Sequence, residues 1–116
     1  MKKTDLTYLL SMTDENNELI LEIIGIFVIQ VEEMWNEMQS LFDKGDYISL
    51  GLLAHKAKSS VAIMGMKKME GKLKELEIFC QEKRNSEFYQ DIIKEFKNDC
   101  MLAIDELLIY KENHLM

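Results

Sequence analysis

The segment AHKAKSSVAIMG, residues 54–65, carries one of the two histidines in a chain of 116 residues; the other, His114, is among the last three residues. An imidazole can be a metal ligand, a general base, a nucleophile or a hydrogen-bonded core group. Spacing separates these roles. Di-metal bundles use inward Glu-x-x-His motifs, whereas the residue three before His55 is Leu52. A hydrolytic triad needs an activated serine or cysteine beside the histidine, and none pairs with His55 here. On a helical wheel with His55 at zero and about 100° per residue, Leu50, Leu53, Ala57, Val61 and Met64 fall between roughly 160° and 240°. The core stripe is therefore opposite His55, which is predicted to point outward. Lys58, one turn along, can bring its ammonium to an anion held by the ring. A solitary outward imidazole with a lysine suits a nucleophile that accepts a phosphoryl group from a donor on another protein.

The face around His55 is small and apolar rather than charged. Gly51, Ser59 and Ala62 lie within about 40° of it, with Ile48, Leu52 and Ile63 close by. Such a face is expected to be covered by a partner, so these residues are predicted to form a docking patch. A carboxylate is a further candidate. The chain runs ten residues from His55 to Gly65, turns and returns at the same rise, which puts position 76 or 77 level with His55. Glu77 flanks the stripe of Leu73, Leu76 and Cys80 and can lean toward His55. There it would accept from Nδ1–H and leave Nε2 facing out. An ordinary surface glutamate fits that position equally well.

These groups need rigid elements to hold them, and helical periodicity dominates the chain. There is no proline, and hydrophobic residues make up 47% against 30% charged, an ordinary globular balance. A short first helix is predicted over about Asp5–Met12, capped by Thr4 or Asp5. Thr13 or Asp14 then caps a long helix that reaches about Lys44. Gly45-Asp46 joins a helix stop to a helix start. The third helix spans Tyr47 to about Met64 and ends at Gly65. The fourth spans about Met66–Arg84, and Asn85 and Ser86 break and cap before a last helix from Phe88 through Leu107. Four long amphipathic helices with short turns predict a single all-α domain over 1–116. Its expected architecture is an antiparallel up-and-down four-helix bundle with a short additional N-terminal helix. That first helix is expected to cover part of the apolar excess on the long helix, which includes Leu19, Ile26 and Ile29.

Charge excludes other classes. The net charge of −7 argues against nucleic acid. Residues 55–74 nevertheless hold six lysines against Glu70 alone, a +5 segment in a remainder of −12, which suits an anionic partner site. The start, MKKTDLTYLLSMTDENN, has no signal-peptide core. The run LILEIIGIFVIQV is too short to span a membrane and is broken by Glu22 and Gln30. Cys80 and Cys100 fall on apolar helical positions without metal spacing, so both are expected as reduced core residues of a cytoplasmic protein.

With these residues in view, the chain resembles the histidine-containing phosphotransfer (HPt) domain family. Its signature is a histidine, a lysine three residues on, a small residue next (usually glycine) and a glycine about ten after the histidine. This chain reads His55, Lys58, Ser59 and Gly65; serine departs from the usual glycine. DLTYLL before the long helix, Phe27 within it, GD at its end and LKELE on the fourth helix are also similar to the family. The resemblance implies that His55 is the phosphoacceptor, that Lys58 stabilises the phosphoryl oxygens and that Glu77 orients the imidazole. Ser59, Ala62 and Gly65 would then permit close approach, with Ile48, Gly51, Leu52 and Ile63 completing the patch. It implies receiver domains and a hybrid sensor histidine kinase as partners, Mg²⁺ on the receiver only, and no cofactor or kinase activity in this chain. A monomer is expected, free-standing or part of a membrane-anchored hybrid kinase. The rival expectation is a helical adaptor that docks on a receiver or kinase without taking phosphate.

Overall fold

Without proline, the chain breaks its helices at residues that adopt a left-handed backbone or supply a capping oxygen. The computed structural model describes residues 2–115, and these are helical with no strand among them. The elements are α1 (Thr7–Met12), α2 (Asn17–Lys44), α3 (Tyr47–Ile63), α4 (Lys67–Glu82), a 3₁₀ turn (Ser86–Phe88) and α5 (Tyr89–His114). Gly45, at φ +74°, ends α2; its N–H donates to Phe42 and that of Asp46 to Leu41, at 3.0 and 2.9 Å. This is the double bond of a Schellman stop. The Asp46 carboxylate then accepts from the Ser49 N–H at 3.1 Å and starts α3. Gly65, at φ +67°, repeats the stop, with its own N–H bonded to Ala62 and that of Met66 to Val61.

Two expected caps are corrected. Thr13 is buried, and its hydroxyl donates back to the Leu9 carbonyl at 2.8 Å, so it is not available to cap α2. Asp14 and Glu15 both take positive φ, and Asn16 caps instead by accepting from the Leu19 N–H at 3.0 Å. Ser86 makes no capping bond either. It opens a 3₁₀ turn behind Asn85, whose φ is +58°. Asp5 accepts from both the N–H and the hydroxyl of Thr7, the first residue of α1.

Helices α2, α3, α4 and α5 touch in sequence, and α5 returns to α2, closing a ring. The α3–α4 pair is the most intimate. The core runs through all four, with Val31, Leu50, Val61, Leu73 and Phe96 fully buried. Cys80 and Cys100 are buried and unpaired, as expected. The last helix continues to His114, where its ring lies 4.5 Å from that of Tyr110. At 28 and 26 residues, α2 and α5 span about 42 and 39 Å, whereas α3 and α4 span about 26 and 24 Å. The long pair therefore overhangs the short pair, and α1 with the residues before it lies at that end, with Leu9 fully buried. Leu19, Ile26 and Ile29 stay 40–61% exposed, so α1 does not shield them. No helix among the described residues is long and apolar enough to cross a membrane.

Candidate functional site

Gly51 determines how near α4 can come to α3. A Cβ built there would sit 2.8 Å from the Cys80 Cβ, so only glycine allows the approach. One turn further along α3 is His55, and three residues before Cys80 is Glu77. The tight crossing brings the two within bonding distance. His55 Nδ1 lies 2.8 Å from Glu77 Oε2, and Lys58 Nζ lies 2.8 Å from Glu77 Oε1. One carboxylate thus holds both His55 and Lys58 of α3.

The exposures of the three side chains differ sharply. That of His55 is 65% exposed, against 14% for Glu77 and 23% for Lys58. The ammonium of Lys58 bonded to Glu77 holds that carboxyl below its usual range; burial opposes the shift and the His55 bond adds to it. An ionised carboxylate only accepts, so the neutral imidazole carries its proton on Nδ1. Nε2 is then an acceptor with a free lone pair. Chemically, the set offers an oriented nucleophile with its counter-charge already in place.

The expected docking residues divide into three groups. Ile48 and Leu52 are each 67% exposed on the N-terminal side of His55. Ser59, Ala62 and Ile63, on its C-terminal side, form one wall of a groove of about 840 Å³ whose opposite wall is Thr7, Tyr8 and Ser11 of α1. Gly51 is a correction. It is buried beneath α4, because its azimuth faces the neighbouring helix rather than solvent, and it offers no surface to a partner. Gly65 is half-buried, and its close approach is to Asp5 of the same chain.

Several groups escape sequence reasoning. The Tyr89 hydroxyl lies 3.0 and 2.9 Å from the carbonyls of Phe79 and Arg84, tying α5 to the end of α4; burial first, then its neighbour Cys80, pushes it up to about 12. Glu106 binds the N-terminal residues across a hundred positions of sequence. Only its charge on a half-buried helix face hints at such a role. Burial pushes the Cys100 thiol up to about 12 and raises that of Cys80, so neither is a nucleophile near neutral pH. Among the described residues no three His, Cys, Asp or Glu side chains gather as a metal site.

A family model, the Hpt domain, matches residues 22–108, well over half of the chain, and the match takes in His55, Lys58 and Glu77. It begins inside α2 and leaves α1 outside. No curated protein and no solved structure gives a significant match. With an all-helical bundle and a family match of this extent, the chain belongs to the Hpt domain family, phosphocarrier modules that serve phosphotransfer in two-component signalling and interact there with receiver domains and histidine kinases.

Proposed function

We propose that His55 accepts a phosphoryl group from the aspartyl phosphate of a receiver domain and passes it to another receiver. The observation that carries this reading is the bond from Nδ1 to Glu77, which leaves Nε2 uncommitted on a side chain that is 65% exposed. Nε2 attacks phosphorus in line; the N–P bond forms as the bond to the aspartyl oxygen breaks, and the receiver regains its carboxylate. The Nδ1 proton stays on the ring, and the positive charge that develops there is met by Glu77. Mg²⁺ belongs to the receiver and is not a resident of this chain. Both phosphorylated species are high-energy, so the step runs in either direction. Catalysis is then mostly positioning and charge stabilisation.

The helices are read as an antiparallel up-and-down four-helix bundle. In support, residues 51 and 55 of α3 meet 80 and 77 of α4, and Ser60 meets Gln30 of α2. The chain is taken to act as one monomeric domain in the cytoplasm. Its +5 segment, which includes Lys56 and Lys58, suits the acidic pocket of a receiver. Lys58 rests on Glu77 until phosphate arrives and sits one helical turn from the ring that will carry it.

The test is to mix the chain with a receiver phosphorylated on aspartate and locate the label by mass spectrometry. An acid-labile label on His55 is expected; a label on His114, or docking without transfer, overturns the proposal. Lys58→Ala is expected to slow transfer by roughly tenfold to a thousandfold through lost charge stabilisation, with Glu77→Ala a smaller loss through a less constrained ring. Rapid-quench kinetics on both variants gives the order, and equal rates for Lys58→Ala and the natural chain would remove Lys58 from the reaction. Ala62→Glu, on the groove wall, is expected to weaken receiver binding at least tenfold while circular dichroism stays unchanged.

A further inference from the structure

The groove beside His55 has one wall that is not part of the four-helix ring. Thr7, Tyr8 and Ser11 belong to α1, a helix of only six residues. So short a helix has little stability of its own and must be held by its surroundings. The side chain of Leu9 is one anchor, fully buried. The others lie in residues 3–5. The Glu106 carboxylate accepts from the N–H of Lys3 at 2.6 Å and from the N–H and hydroxyl of Thr4 at 2.9 and 2.7 Å. The Lys3 ammonium pairs with Asp99, also on α5, at 3.2 Å. The Asp5 N–H donates to the Met64 carbonyl at 3.0 Å, directly above Gly65.

Gly65 belongs to this fastening. A Cβ there would collide with the Asp5 carbonyl, and at φ +67° a side chain would also be strained. Glu106 is bonded entirely inward, to the chain's own N-terminal residues. Three of its bonds come from two consecutive residues, which is how a carboxylate captures a strand of backbone rather than a ligand. The two anchors come from different elements: α5 holds residues 3 and 4, and the α3–α4 turn holds residue 5. Together they set where α1 begins, and so where Tyr8 and Ser11 face Ser59 and Ala62.

We propose that Glu106 and Gly65 form a clasp that positions α1 as the second wall of the receiver-docking groove, so that partner affinity is set partly by residues remote from His55. This rests on the reading of the His55 face as the receiver site, and it extends that reading to a segment outside the matched family region. Glu106 touches no reacting atom and is a positioning residue. Its removal should loosen α1 and weaken docking while leaving the chemistry at Nε2 intact.

The experiment uses the full chain with Glu106→Ala and, as a milder change, Thr4→Val, which removes the hydroxyl bond only. Amide hydrogen exchange of α1 is measured beside the affinity for a beryllofluoride-loaded receiver domain chosen for binding the natural chain. That binding needs no transfer, so it stands even if His55 proves not to be the acceptor. Expected for Glu106→Ala are α1 exchange faster by about tenfold, α3 and α4 unchanged, and affinity lower by roughly three- to tenfold. The maximal transfer rate at saturating receiver should be unaltered. Thr4→Val should shift exchange and affinity in the same direction by about twofold, and decides the matter if Glu106→Ala does not fold. Unchanged α1 exchange overturns the clasp. Loosened α1 with unchanged affinity overturns its role in docking, and so does a lower maximal rate at unchanged affinity.

Discussion

His55→Gln is expected to eliminate phosphorylation outright while leaving the fold in place. The side chain is 65% exposed and its one bond is to Glu77, which a glutamine amide can also donate to. The stability change should stay within about 0.5 kcal/mol, as for other surface substitutions. Glutamine has no nucleophilic nitrogen, so no residual transfer survives. The check is a phosphorylated receiver mixed with the variant, read by acid-labile label, with thermal unfolding in parallel. Retained label would move the acceptor elsewhere, and His114 would then be the only histidine left to test.

The second large effect is expected at Gly51, and it separates two meanings of the same residue. If Gly51 were part of an exposed docking patch, Gly51→Leu would block a partner and leave stability untouched. Buried against Cys80 with 2.8 Å available for a Cβ, it must instead force α3 and α4 apart. Overpacking of this kind costs about 1–3 kcal/mol, and a leucine falls at the upper end. The better helix propensity of leucine returns less than about 1 kcal/mol of that. A net loss near 2 kcal/mol lowers the melting temperature by roughly 8 °C in a domain of 116 residues. The same displacement carries Glu77 away from His55, so the ¹⁵N shifts of the imidazole should lose the Nδ1–H signature. Unchanged melting with unchanged tautomer would return Gly51 to the surface.

The parts of the site legible in sequence are those that depend on one helix at a time. His55 lies opposite Leu50, Leu53 and Val61, and a wheel is enough to show it. The count from His55 to Gly65 and back even gives the level of Glu77, because equal rise on both sides of a turn is a property of helices in general. What a wheel cannot give is the azimuth of the neighbour. Gly51 is small because α4 approaches it, but the pattern of α3 alone reads Gly51 as outward. Gly65 was legible as a helix stop and not as the seat of Asp5, since that contact joins positions sixty residues apart. Thr13 and Asp14 are both good capping types by sequence, but Thr13 is buried and Asp14 takes a positive φ, so the cap falls to Asn16. The Glu106 clasp is a charge on a helix face until the N-terminal residues arrive beside it.

The engagement of Nδ1 by Glu77 bears on the kinetic order of the proposed relay. A ring with one nitrogen committed has one nitrogen to trade, and that atom must both receive the phosphoryl group and surrender it. Donor and acceptor receivers then compete for a single face and visit it in turn. The expected rate law is a double displacement, with parallel reciprocal plots. An excess of unphosphorylated acceptor should slow loading by occupying the face before any phosphate is there to take. Flux through this chain would therefore depend on the ratio of the two receivers as much as on the activity of the kinase that feeds them.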